Sequence, residues 1–131
     1  MPIAVEWYNE QQQAVIQRFD GNWNWTDLSE SLALMNQFSE GRPMPSLIDM
    51  SNTKVLPAGN ILQNTKNVSM KAPESITHLV LVIDSQLIKT FIHMIFSVIP
   101  SWRNRTQFAR TIEEGRKLVD KIIAEQAAGV Q

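Results

Sequence analysis

Apolar and polar positions alternate in two short runs at the start of the chain, Ile3 to Tyr8 and Ala14 to Phe19. In the second, Val15, Gln17 and Phe19 fall on one side and Ile16 and Arg18 on the other, which predicts a strand with two different faces. The polar link Asn9 to Gln13 is short enough for an antiparallel hairpin, and Asp20-Gly21-Asn22 follows with turn chemistry. The period then changes. Thr26 is an N-cap residue type, and Asp27 and Glu30 place negative charge on the first helical turn. Leu28, Leu32, Met35 and Ser39 recur at helical spacing, with Leu34 and Phe38 beside them; Gly41, Pro43 and Pro45 end the helix.

Ser46-Leu47-Ile48-Asp49 reads as a central strand ending on a carboxylate, followed by a polar turn through Ser51, Asn52 and Thr53. A second helix, opened by Pro57 and running to about Lys71, carries a narrow stripe of Ala58, Ile61, Leu62, Thr65 and Val68. Ala72-Pro73-Glu74 breaks it. Within Ile76 to Asp84, the unbroken run Leu79-Val80-Leu81-Val82-Ile83 suits a strand covered on both faces, as in a parallel sheet. Asp84-Ser85 caps a third helix that ends at Pro100. A short strand around Gln107-Phe108-Ala109 leads to the capping box Thr111 to Glu114. Ile112, Gly115, Leu118, Val119, Ile122 and Ile123 form the buried face of the last helix, which frays from Glu125. The order ββ-α-β-α-β-α-β-α predicts one α/β domain over residues 1–131, with its ordered core at about 3–124. It has a mostly parallel sheet of four to five strands, an N-terminal antiparallel hairpin and four helices.

Composition narrows function more than fold. At 131 residues, 44% hydrophobic and 19% charged, the chain is long enough for one proper core. A net charge of −1 gives no basic field, so a nucleic-acid partner is not expected. The absence of Cys excludes disulfides, thiolate catalysis and the common structural zinc sites. Met1 to Glu6 has no signal-peptide character, and Leu87 to Ile99, the most apolar stretch, is too short to span a bilayer. A cytoplasmic location is the expectation, without cofactor or metal.

Leu47-Ile48-Asp49-Met50-Ser51, in this element order, resembles the STAS domains, the sulphate-transporter and anti-sigma-factor-antagonist fold of bacterial SpoIIAA-like proteins. Gly21-Asn22-Trp23-Asn24-Trp25-Thr26 is similar to a stretch of SpoIIAA-like proteins of unassigned function. The resemblance implies a SpoIIAA-like fold and a Ser phosphoacceptor at the start of the second helix. The family's Asp-Ser-Ser-Gly falls on Pro57-Ala58-Gly59-Asn60, so the acceptor position is Ala58, which has no hydroxyl. Fold transfers by this resemblance; the phospho-switch does not.

The candidate sites each carry two readings. Asp49 and Asp84, at the carboxyl ends of predicted parallel strands beside Ser51, Asn52 and Thr53, form a polar ligand or partner site, or else tether turns and cap a helix. Ser51 and Thr53 are alternative phosphoacceptors or turn residues. Trp23 and Trp25, two apart, stack on a ligand or partner or cover the end of the core. His78 and His93 lack partners at metal or catalytic spacing. Arg103-Asn104-Arg105, with Arg110 and Lys54, holds an anion or is a solvated loop. On the third helix, apolar residues from Leu87 to Ile99 fill about 200° of arc, twice what a surface helix needs. Either the last helix or Trp102 covers Ile92, Phe96 and Ile99, or they form an interface.

The resemblance implies a non-catalytic regulatory protein–protein interaction module whose partner is another protein or a second copy in a homodimer. The residues also fit a different class, a small-molecule or lipid carrier with an apolar cleft beside the third helix and the tryptophans. A cavity lined by Trp23, Phe91 and Ile95 would favour the carrier. A hydrolytic enzyme using Asp49 and Asp84 ranks last, because neither carboxylate has an identifiable nucleophile, base or metal partner.

Overall fold

The computed structural model describes residues 2–70 and 74–129. Ten elements follow one another: β1 (Ile3–Trp7), β2 (Val15–Asp20), α1 (Trp25–Ser39), β3 (Met44–Asn52), α2 (Ile61–Ser69), β4 (Ile76–Val82), α3 (Gln86–Val98), α4 (Pro100–Arg105), β5 (Thr106–Ala109) and α5 (Ile112–Gly129). The strands form one sheet in the order β1-β2-β3-β4-β5. β1 pairs antiparallel with β2, and every later pair is parallel. Each crossover therefore steps the same way across the sheet. Right-handed connections put α1, α2 and α3 on one face. α5, which follows the last strand, lies on the other, against β3, β4 and β5.

The two faces explain the strand patterns. Val15 and Phe19 enter the larger core beneath α1 and α3, while Ile16 faces α5. In β4 and the residue after it, Leu79, Leu81 and Ile83 join the first core, and Val80 and Val82 the second. The unbroken apolar run is covered on both sides, as its composition predicts. Gly115 belongs to this arrangement: a Cβ there would stand 2.8 Å from Val82 Cγ2 and 2.9 Å from Leu47 Cδ1. Only glycine lets α5 approach the sheet so closely.

Several boundaries differ from the sequence reading. α1 is capped by Asn24, not Thr26. The Asn24 side chain accepts from Asp27 N at 2.8 Å, and Asp27 Oδ2 accepts from Asn24 N at 2.9 Å. Thr26 would have Ser29 in the reciprocating position, a side chain without that carboxylate. α2 starts at Ile61 under an Asn60 cap, not at Pro57, because Gly59 sits at φ +106°, incompatible with a helix. The predicted end of α2 at Lys71 and the break at Ala72-Pro73 lie outside the described residues. β3 runs from Met44 through Asp49 to Asn52, and absorbs Pro45 at a register shift between Met44 and Pro45 in its pairing with β4. At the start of α5, Glu114 N donates to Thr111 Oγ1, but the Glu114 carboxylate accepts from Arg110 N, not from Thr111. Five helices replace the expected four, since Pro100 ends α3 and opens the short α4.

Candidate functional site

A cavity of about 100 Å³ lies between the sheet and α1, α2 and α3. Its floor is the alternating side chains that β2, β3 and β4 turn to this face: Gln17, Phe19, Ile48, Met50, Leu79 and Leu81 among them. Leu28, Leu32 and Met35 of α1, Val68 of α2, and Phe91, Ile92, Ile95 and Phe96 of α3 form the roof. Trp23, in the link from β2 to α1, and Trp102 and Arg105 of α4 complete the wall. The wall is almost wholly apolar. Arg105 is exposed and Trp102 half-buried, so this side is where the cavity reaches solvent.

Three polar groups interrupt that wall. Gln17 is buried and donates from Nε2 to Ser31 Oγ at 2.6 Å; that hydroxyl in turn donates to Leu28 O at 2.7 Å. Trp23 is 5% exposed, and its Nε1 has no hydrogen-bond partner among the described residues. A buried donor left unmade costs about 1–3 kcal/mol. Arg105 Nη1 donates to Ile76 O at 3.5 Å, a long contact that leaves most of the guanidinium without a partner among the described residues.

Trp23 and Trp25 meet edge to face at 6.0 Å, and each packs against Phe91, at 6.3 and 6.0 Å. Phe19 joins Trp23 at 5.1 Å. Both tryptophans are buried, so they cover the end of the core, and Trp23 also forms cavity wall. Ile92 and Phe96 are buried too, Ile99 and Trp102 half-buried. The cover over this arc is not the last helix, which packs on the opposite face of the sheet. It comes from the sheet, from α2 and α4, and from Phe108, whose ring lies 6.2 Å from Phe96. Leu87 and Met94 remain exposed on α3, at 52% and 41%.

The polar turn residues come together less than the sequence suggests. β3 continues past Asp49, so Ser51 and Asn52 are strand residues and not a turn. Asp49 Oδ1 accepts from Ser51 N at 3.0 Å and from Ser51 Oγ at 2.6 Å, which occupies both groups locally. Asn52 is exposed at the strand end. Thr53 is fully buried, with an Oγ1 that has no partner among the described residues. Ala58 is exposed in the loop ahead of α2, away from the helix start that the resemblance requires. Asp84 follows β4 and pairs with Lys54 Nζ at 3.3 Å; both side chains are exposed. It lines a separate polar cleft of about 380 Å³ with Ser85, Lys89, Phe108, Arg110 and Glu114. Asp49 does not reach that cleft.

His78 Nδ1 is 2.8 Å from Thr77 Oγ1, and exposed His93 packs its ring 5.7 Å from Phe108. Among the described residues no three His, Cys, Asp or Glu side chains gather where they could hold a metal ion. Arg103 and Arg105, read from sequence as a basic loop, lie on α4, and only Arg105 reaches the cavity. Gln17 is a site residue that sequence reasoning passed over, and Arg105, read as part of an anion site or a solvated loop, was not connected with the apolar cleft. The signals for them were a polar residue on the apolar side of β2, and the i, i+3 spacing of Trp102 and Arg105.

Compared with models of protein families, with curated proteins and with solved structures, the chain matches none. No helix among the described residues is long and apolar enough to cross a membrane.

Proposed function

We propose that this chain is a non-catalytic binding module of SpoIIAA-like type that takes a small apolar molecule into the cavity beneath α1 and α3. The observation that carries this reading is the cavity itself, walled by Trp23, Phe91 and Ile95 and lined almost throughout by apolar side chains. Natural cores rarely leave such volume unfilled, since a void forfeits dispersion contacts along its whole lining. A dry cavity of ~150 Å³ holds benzene; at about 100 Å³ this one encloses a short chain or part of a ring, with the remainder in the mouth. Catalysis by Asp49 and Asp84 finds less support: one is engaged by its neighbouring serine and the other is an exposed ion pair in a different cleft.

Trp23 and Trp102 both touch the cavity, so intrinsic fluorescence reports on it. Titration of the full chain with 3-phenylpropan-1-ol is expected to give a saturable change in that fluorescence. A response that is linear up to the solubility limit contradicts the reading.

A second reading keeps the resemblance to regulatory interaction modules. It is favoured by Leu87 and Met94, exposed seven residues apart on one side of α3 and able to meet a partner or a second copy. It does not involve Phe96, which is buried within the protomer. A phospho-switch finds less support: Ala58 has no hydroxyl, that of Thr53 is inside the core, and that of half-buried Ser51 donates to Asp49 Oδ1.

A further inference from the structure

Resting on the proposed apolar-ligand function, we infer that the occupant is a singly charged carboxylate, a small aryl-alkyl or short-chain acid, whose apolar body fills the cavity while its carboxylate is held at the mouth by Arg105. Among the described residues Arg105 is the one cation that lines the cavity, and it is exposed. The ion pairs among the described residues are Arg18–Glu6 and Lys54–Asp84, so no carboxylate among those residues pairs with it. Its single hydrogen bond among the described residues, 3.5 Å to Ile76 O, ties the guanidinium to the beginning of β4 and leaves the remaining N–H donors without a partner among them. Trp102, one helical turn earlier, lines the same cavity and gives the ligand's first carbons an aromatic surface beside the charge.

The charge arithmetic selects the class. A guanidinium presents two parallel N–H donors that match the two oxygens of a carboxylate. Among the described residues no second cation lines the cavity, so a doubly charged phosphate monoester would keep one charge uncompensated at an apolar mouth. A neutral apolar ligand would leave the guanidinium's free donors to water alone. The cavity volume limits the buried part to a short chain or part of one ring, which places the head group of such an acid near the rim.

The test compares 3-phenylpropionate with 3-phenylpropan-1-ol, two probes of the same skeleton, on the full chain by intrinsic fluorescence and calorimetry. The acid is expected to bind about tenfold tighter than the alcohol at low ionic strength, the worth of one charge-assisted hydrogen bond at a partly exposed site. Arg105→Gln is expected to lower the acid's affinity to the alcohol's level. Arg103→Gln, which alters a neighbouring cation outside the cavity, is expected to change neither. Thermal melts of both variants establish that they fold. If the alcohol binds as well as the acid, or if Arg105→Gln preserves the acid's advantage, the carboxylate assignment is overturned and the apolar-ligand reading survives. If neither probe binds the wild-type chain, both are overturned.

Discussion

Leu79 is half-buried on the cavity floor, where a larger side chain would occupy the space assigned to a ligand. Leu79→Phe is expected to abolish the fluorescence response to 3-phenylpropan-1-ol while leaving the melting temperature unchanged or higher, because the added atoms gain contacts that the void denies. A large fall in stability would show that the space is not there. Tyr8 offers a second measurement at this scale. Burial is the main cause that raises its phenol to about 12, and the hydrogen bond from its hydroxyl to Asp120 Oδ1, 2.7 Å, is the next. A phenol that ionises later in the folded than in the unfolded chain contributes stability that is complete below pH 10 and is lost as pH rises toward 12. As the single tyrosine, it can be titrated directly by tyrosinate absorbance. Ionisation near pH 12 in the native protein and near 10 in urea is expected, and Tyr8→Phe should flatten stability across that interval. A native midpoint near 10 would remove the effect.

Among the helices and strands, what could be read from sequence was what depends on near neighbours. The sides of β2, with Gln17 among the core-facing residues, follow from alternation, and the double burial of Leu79 to Ile83 follows from composition. Helix starts were less legible, because a cap is a contest between adjacent candidates. Asn24 prevails over Thr26 through its reciprocal partner Asp27, and Asn60 over Pro57 through the conformation of Gly59. Asn24→Ala is expected to cost about 1 kcal/mol in chemical denaturation; no change would mean that the Asn24–Asp27 pair contributes nothing. At Gly115 the added methyl would fall under 3 Å from both Val82 and Leu47. Gly115→Ala is therefore expected to destabilise by about 1–3 kcal/mol despite alanine's better helix propensity. A stabilised variant would show that α5 stands further from the sheet.

On the scale of the whole molecule, the sequence carried the layer order but not the site. The arc of α3 was visible as too apolar for a surface helix, yet periodicity cannot say which neighbour covers it. The cover comes from the sheet, α2, α4 and Phe108, while α5 lies across the sheet. The cavity depends on how three helices fail to close over β2, β3 and β4, a property of packed volumes that no spacing encodes. Asp49 and Asp84, adjacent in a strand-end argument, separate once β3 is seen to continue past Asp49. Association, if it uses α3, rests on Leu87 and Met94, so Met94→Asp should dissociate any dimer detected by native mass spectrometry. A dimer unaffected by that change would place the contact elsewhere. The central claim, occupancy of the cavity, is tested most directly by the melting temperature of the wild-type chain and of Leu79→Phe against increasing 3-phenylpropan-1-ol. A ligand that binds only the folded state stabilises it as the logarithm of its concentration above Kd. The account predicts a rising melting temperature for the wild type and none for Leu79→Phe; a flat or falling curve for the wild type would contradict it.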